Sequence, residues 1–243
     1  MPRYFIEVSY KGTNYSGFQV QKNANSIQAE IENALAIFFK QPFSLTGSSR
    51  TDAGVHALQN YFHFDSDIVL EEKKGFVYNL NCILPLDIVI KRIFQVDENA
   101  HCRFDAISRE YKYYIFRNKN PFLQDRAFYY PYPLDIDKLN DAAKLLMIYK
   151  DFTSFSKRNT QVKDFICDIK KSNWLEEKET LLYSVEANRF LRGMVKGFVG
   201  TMLRVGTGKM TLNEFEDIIQ NRDCTKADFS VDSKGLFLVS VNY

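Results

Sequence analysis

Residues 4–10 (YFIEVSY) decide the first element of the fold, because they combine β-branched and aromatic residues in partial alternation, which is typical of a strand. An amphipathic helix is predicted over residues 26–40, with Asn25 and Gln28 as its capping box. Four apolar residues form the stripe of this helix: Ile27, Ile31, Leu35 and Phe38. The chain therefore begins with a strand followed by a helix.

The same mixture continues to the end of the chain. Further strands are expected over residues 59–64, 87–94, 111–116, 165–174, 180–187 and 235–241. Further helices are expected over residues 137–149, 188–205 and 211–221. Since the regular strand–helix–strand alternation of a parallel sheet is missing, the pattern favours the α+β class, with helices covering an antiparallel sheet. Residues 1–105 and 106–243 share a rough plan, which suggests two similar halves produced by duplication.

Composition narrows the class of protein. The 243 residues are 45% hydrophobic and 26% charged, with a formal net charge of +2, which excludes wholesale disorder and a histone-like polycation. The sequence contains no run of about 18 apolar residues, which a membrane-spanning helix needs. Its first residues also lack the apolar core of a secretory signal. We therefore expect a cytoplasmic protein.

Cysteine and histidine spacing predicts neither a metal site nor a disulfide framework. The cysteines are far apart in sequence, at Cys82, Cys102, Cys167 and Cys224. The histidines are few and scattered, at His56, His63 and His101. We therefore expect reduced thiols and no metal ligand set.

A polar loop interrupts this pattern at residues 47–57 (GSSRTDAGVHA). Its small residues allow tight turns and leave room for a ligand. Asp52, two residues after Arg50, could serve as a nucleophile or a base if a cation lay close to it. The residue types alone favour a simpler interpretation, in which Asp52 stabilises a turn and Arg50 is an ordinary surface residue.

Residues 50–57 (RTDAGVHA) resemble the signature around the catalytic aspartate of the tRNA pseudouridine synthase A family. Other stretches resemble the landmarks of that family in the same order, at residues 9–21, 103–106, 109–113, 151–155, 188–191, 194–201 and 235–238. The resemblance covers nearly the whole chain, and an eight-residue run with ordered landmarks is far more specific than an isolated R-T-D.

The resemblance implies an RNA isomerase. Members of the family convert uridine to pseudouridine at positions 38 to 40 of the tRNA anticodon stem-loop, as homodimers and without a cofactor. The implied architecture has two α+β halves that share one central, mostly antiparallel sheet, with helices on the outer faces. The active site would lie in a basic cleft between the halves.

Individual roles also follow from the resemblance. Asp52 would be the nucleophile, and Lys196 stands where the family commonly has the arginine that pairs with it; a lysine keeps the charge but loses the two-pronged fork. Tyr111 would stack on the target uracil, with its hydroxyl aiding proton removal from C5. Arg50 would position the RNA backbone or fill the space left by the flipped base, and Leu236 would line the uracil pocket.

The predicted helix 188–205 carries a basic face that includes Arg189, Arg192 and Lys196. Five basic residues against one acidic residue lie between positions 185 and 209. Together with the resemblance, this charge implies that Arg189 and Arg192 bind tRNA phosphates. The alternative is an ordinary solvated basic face. Three glycines weaken this helix, which suggests that a protein or RNA backbone approaches it closely: Gly193, Gly197 and Gly200.

Two other functions remain open at this point. A non-catalytic RNA-binding protein could use the same basic face. An aspartate-dependent hydrolase unrelated to RNA is also conceivable, although it lacks a recognisable second carboxylate.

Overall fold

A computed structural model describes residues 1–68, 70, 75–158, 162 and 164–243. Two compact units are present: unit 1 comprises Met1–Ile107 and Phe237–Tyr243, and unit 2 comprises Ser108–Leu236. The predicted division into an amino-terminal half, residues 1–105, and a carboxy-terminal half, residues 106–243, stays a prediction.

The elements alternate without a regular order. The strands are β1 (Arg3–Tyr10), β2 (Thr46–Gly47), β3 (His56–Asp65), β4 (Ile88–Val96), β5 (Ser108–Phe116), β6 (Phe128–Tyr129), β7 (Ile169–Glu176), β8 (Leu181–Ala187) and β9 (Leu236–Asn242). The helices are α1 (Ile27–Phe39), α2 (Phe76–Ile83), α3 (Ile136–Ile148), α4 (Met194–Gly206) and α5 (Leu212–Asn221). The predicted α+β class, with mostly antiparallel pairing, is confirmed.

In unit 1, β1 lies between β4 and β3 and runs antiparallel to both. The last strand, β9, returns to this unit, where Phe237 and Leu238 pair in parallel with His56 and Ala57 of β3. Helix α1 matches its prediction closely, although its N-cap is Ser26, whose side chain accepts from the backbone N–H of Ala29, rather than the predicted Asn25.

Helix α2 was not predicted, and it protects the outer strand of unit 1. Its Asn81 donates from Nδ2 to the carbonyl of Ile90 at 2.8 Å, and the Ile90 N–H donates to Asn81 Oδ1 at 2.8 Å. The side-chain amide of Asn81 thereby pairs with both the N–H and the carbonyl of Ile90. Without it, these backbone groups could pair with a strand of another chain.

Unit 2 repeats this arrangement with different residues. Strand β8 lies between β5 and β7, antiparallel to both. Asn140 of α3 donates to the carbonyl of Trp174 on β7 at 3.2 Å and accepts from its N–H at 2.9 Å. A helical asparagine that covers an outer strand in each unit supports the duplication suggested by the sequence.

The helix predicted over residues 188–205 begins only at Met194, so the amino-terminal part of that prediction is wrong. Gly193 has a φ of 76° and ends the preceding irregular segment in the left-handed region. The carbonyl of Asn188 is bound by the guanidinium of Arg109 at 3.0 Å instead of entering a helical ladder. Arg189 and Arg192 therefore lie outside the helix that carries Lys196.

Close packing of the protein itself explains two of the glycines in α4. A Cβ at Gly200 would lie 2.3 Å from the carbonyl oxygen of Asp228, and one at Gly197 would lie 2.8 Å from the ring of Phe229. The predicted close approach to these glycines is therefore made by a segment of the protein itself.

Helix α5 begins with the predicted capping box between Thr211 and Glu214. In the part of the chain that the structure describes, no helix has the length and hydropathy needed to cross a membrane.

Candidate active site

The loop that carries Asp52 connects β2 to β3 without regular secondary structure. Within it, Thr51 is buried, Asp52 is half-buried and Arg50 is exposed. A carboxylate that is only partly covered can reach a ligand, whereas its neighbours can anchor the backbone. The way the loop is held therefore decides where Asp52 points.

Asn60 of β3, which is fully buried, fastens the start of this loop. Its Oδ1 accepts from Ser48 Oγ at 2.7 Å and from the backbone N–H of Tyr61 at 2.9 Å. Its Nδ2 donates to the Ser49 carbonyl at 3.1 Å and to the Tyr10 hydroxyl at 3.1 Å. A single side chain thus joins the loop to two strands of unit 1.

Thr51 is fixed from both its side chain and its backbone. The hydroxyls of Tyr10 and Thr51 lie 2.8 Å apart in a buried hydrogen bond, and the Phe18 N–H donates to the Thr51 carbonyl at 3.1 Å. Gly17 permits this approach, since its φ is 114° and a Cβ there would lie 3.1 Å from the Thr51 oxygen.

The other side of the loop is equally constrained. The Val55 N–H donates to the Asp52 carbonyl at 3.2 Å, which closes a turn around Gly54, whose φ is 77°. The N–H of Gly12 donates to His56 Nδ1 at 3.2 Å, and a Cβ at Gly12 would lie 2.0 Å from the Val55 oxygen. The Asp52 backbone is therefore held between anchored residues on both sides.

Tyr111, on β5 of unit 2, lies opposite Val185 of β8. Its side chain is mostly buried, and its ring meets that of Phe190 edge-on, with centroids 5.0 Å apart. This contact orients the aromatic face of Tyr111.

Lys196 of α4 is half-buried and donates from Nζ to Ser233 Oγ at 3.2 Å. Ser233 begins the short 3-10 helix Ser233–Gly235, which leads directly into the buried Leu236. This turn is fixed by Tyr113, whose hydroxyl donates to the Asp232 carbonyl at 2.6 Å. Lys196 and Leu236 are thus connected through one short turn.

Arg189 and Arg192 lie on the irregular segment before α4. Arg189 Nη1 lies 3.4 Å from Asp164 Oδ2, and Arg192 is exposed while its carbonyl accepts from the Lys157 N–H at 3.0 Å. The buried Arg109 holds this segment through Asn188. The sequence analysis predicted no role for Arg109, although this residue begins the family landmark at residues 109–113.

The candidate residues divide between the two units. Arg50 and Asp52 belong to unit 1, and the others belong to unit 2: Tyr111, Arg189, Arg192, Lys196 and Leu236. Pairing between Asp52 and Lys196 stays a prediction.

Two of the histidines are not scattered, contrary to the expectation from their spacing. Potential ligand atoms of His63, His101 and Cys102 lie within 4.8 Å of one another. Internal hydrogen bonds already use several of them: Cys102 Sγ donates to the Thr46 carbonyl at 3.2 Å, and His101 Nδ1 accepts from the Arg103 N–H at 3.1 Å. Burial, with the nearby charge of His101, lowers the pKa of His63 to about 4. The absence of a metal site stays a prediction.

Comparison with known proteins gives a family model and relatives that match most of the chain. The family model described as tRNA pseudouridine synthase matches residues 6–105 and 142–243. The tRNA pseudouridine synthase A of Parabacteroides distasonis is 43% identical over 243 residues, which cover 100% of this chain and 96% of the relative. That of Bacteroides thetaiotaomicron is 44% identical over 246 residues, with coverage of 100% and 91%. A Staphylococcus aureus relative of the same name is 31% identical over 241 residues, with coverage of 98% and 90%.

The Asn60→Leu substitution tests how the loop is held. We expect it to lower the free energy of unfolding by at least about 2 kcal/mol, because it leaves several buried polar groups without partners, at about 1–3 kcal/mol each. Urea denaturation measures the change. Asn213→Leu, at an exposed position of α5, is the control and should stay within about 0.5 kcal/mol of the native chain. Equal midpoints for Asn60→Leu and the control would contradict this account.

Proposed function

The chain belongs to the tRNA pseudouridine synthase family, whose members isomerise uridine to pseudouridine in tRNA, and we propose that it acts on uridines at positions 38 to 40 of the anticodon stem-loop. The match to relatives over its entire length is the observation that carries this proposal. Their names describe a catalyst, which favours an isomerase over an RNA-binding protein without activity.

The reaction needs neither an oxidant nor a donor of a chemical group. The bond between N1 of uracil and C1′ of ribose breaks, a bond between C5 and C1′ forms, C5 loses its proton and N1 gains one. Since no electrons are exchanged with another molecule, we propose that no cofactor takes part. The uridine must first leave its stack, at a cost of a few kcal/mol.

Asp52 is the proposed nucleophile, attacking either the sugar or the base ring. The geometry of its loop supports this role, because Thr51 and Val55 are buried on either side while the Asp52 side chain remains partly accessible. A nucleophile held in one orientation avoids the entropic cost of finding its target.

Lys196 is proposed to stabilise the ionised form of Asp52 during the reaction. An opposite charge within about 4–6 Å favours the charged form of a carboxylate. The bond from Lys196 to Ser233 supports this role, since it fixes the direction of an otherwise flexible ammonium group.

Tyr111 is proposed to stack on the flipped uracil, with its hydroxyl aiding proton removal from C5, and Leu236 to line the pocket for that base. The edge-on contact with Phe190 supports this role for Tyr111, because it leaves the ring in a fixed orientation. Base stacking on an aromatic ring is worth about 1–3 kcal/mol.

Arg50, Arg189 and Arg192 are the proposed contacts to the tRNA backbone. Arg50 and Arg192 are exposed, and Arg189 is partly exposed beside Asp164. Contacts to phosphate give affinity that decreases with salt and carry little sequence information. We place the enzyme in the cytoplasm, where its substrate is found.

The Asp52→Ala variant tests the nucleophile. With tRNA tritiated at C5 of uridine, the native chain should release tritium, because C5 loses its hydrogen, and Asp52→Ala should release none above background. The control is Asp67→Ala, at an exposed aspartate of the same unit, which should release tritium at the native rate. Release by Asp52→Ala would exclude Asp52 as the nucleophile, and tight binding without release by the native chain would favour the non-catalytic function.

Substitution of Lys196 tests the proposed pairing. Lys196→Met should reduce the rate of tritium release about 100-fold or more, since it removes a charge that stabilises the reacting carboxylate. Lys196→Arg should retain most of the activity, and so should Lys144→Met at an exposed position of α3. Circular dichroism checks folding. Near-native turnover by Lys196→Met would remove Lys196 from the mechanism.

We further propose that the enzyme is a homodimer, because a dimer can bind an RNA longer than the binding surface of one subunit. Sedimentation velocity at micromolar concentration should give a species of twice the monomer mass. A monomer that retains full tritium release would refute the dimer without affecting the proposed reaction.

A further inference from the structure

A cavity of about 310 Å³ opens beside the Asp52 loop in unit 1. Its lining includes Gln19, Arg50, His101, Arg103 and Phe104, which together define the Phe104 pocket. A volume above about 300 Å³ falls in the range of ligand sites. The roles proposed for Arg50 and Asp52 do not account for the part of the lining formed by His101, Arg103 and Phe104.

Phe104 presents an aromatic ring to solvent at the pocket, with 73% of its surface exposed. The ring lies 4.2 Å from that of His101, measured between centroids, and the guanidinium of Arg103 lies 5.5 Å from the Phe104 centroid. An exposed aromatic ring flanked by a guanidinium and an imidazole is a suitable platform for stacking a nucleobase.

His101 holds the turn that carries Phe104 in one conformation. Its Nδ1 accepts from the backbone N–H groups of Arg103 at 3.1 Å and Phe104 at 3.3 Å, and the backbone N–H of His101 donates to Asp105 Oδ2 at 2.7 Å. The His101 ring also packs edge-on against His63, with centroids 4.6 Å apart. The turn that presents Phe104 is therefore formed before any ligand binds, which lowers the entropic cost of binding.

The charge of the lining favours a phosphate-bearing ligand. The described residues that line the cavity carry two guanidinium groups, from Arg50 and Arg103, and no carboxylate. Both arginines are exposed. Guanidinium groups bind phosphate oxygens in pairs of parallel hydrogen bonds.

We propose that the Phe104 pocket binds an unpaired nucleotide of the substrate tRNA adjacent to the target uridine, an inference that rests on the proposed function. The base stacks on Phe104, its edge faces Gln19, and its phosphate contacts Arg50 and Arg103. Arg50 is two residues from Asp52, and two residues span at most about 7 Å, so one end of the pocket is adjacent to the proposed nucleophile. Occupation of the pocket would hold the RNA strand beside the extruded uridine.

Variants of Phe104 test the stack by tRNA binding, measured by filter retention. Phe104→Ala should weaken binding about 5- to 150-fold, which corresponds to the loss of one base–aromatic stack, whereas Phe104→Trp should bind as tightly as the native chain. The control is Phe122→Ala, because Phe122 is also exposed, at 79%, and lies outside the pocket. Arg103→Gln should make the slope of log Kd against log salt shallower by about 1. Native affinity for Phe104→Ala would overturn the proposal.

Photocrosslinking of the native chain provides a measurement that does not depend on any variant. A tRNA with 5-iodouridine on either side of the target uridine should crosslink to the peptide that contains Phe104. Crosslinks confined to other peptides would overturn the proposal. Because binding and crosslinking do not require turnover, they are separable from the proposed function: a native chain that gives the Phe104 crosslink but releases no tritium would retain the pocket and refute the activity.

Discussion

The buried amide of Asn60 is the interaction on which the site in unit 1 depends. The loop that carries Asp52 belongs to no ladder, so its polar backbone groups must find partners elsewhere. Asn60 binds Ser48 and the Ser49 carbonyl in the loop, and it also reaches Tyr10, whose hydroxyl holds Thr51. Because these groups are buried, each bond is costly to lose. These bonds consequently fasten the loop to β1 and β3.

Asparagine has a second structural role that connects the two units. Asn81 in unit 1 and Asn140 in unit 2 each project from a helix and bond to both backbone groups of a residue on an outer strand. An amide side chain can do this because it carries a donor and an acceptor with the spacing of a peptide group. Both units thus cover an outer strand with an asparagine from a helix. This shared feature agrees with a duplication of the two halves, which stays a prediction.

Periodicity predicted most of the fold and failed where apolar spacing was weak or misleading. Helix α2 has only one buried residue, Leu80, so it offered no stripe to recognise. Residues 188–193 had helical spacing by coincidence, and the left-handed Gly193 together with the bond from Arg109 to Asn188 overrides it. At the site, residue types alone favoured a turn aspartate at position 52. The functional interpretation of Asp52 required the resemblance of residues 50–57 to the family signature, since no pattern in the sequence marks Asn60 or Tyr10 as anchors of the loop.

Lys196 lacks the rigid geometry of an arginine, and its surroundings orient its ammonium group instead. An arginine brings its own geometry, because the guanidinium is planar and presents a rigid fork. An ammonium group rotates on a flexible stem, so its direction must come from a neighbour. Here Ser233 accepts from Lys196, and the turn that contains Ser233 is held by the bond from Tyr113 to Asp232. A guanidinium group would need little help to be oriented, because it is planar and rigid. In the proposed mechanism, β5 and the turn that contains Ser233 instead orient the ammonium group of Lys196.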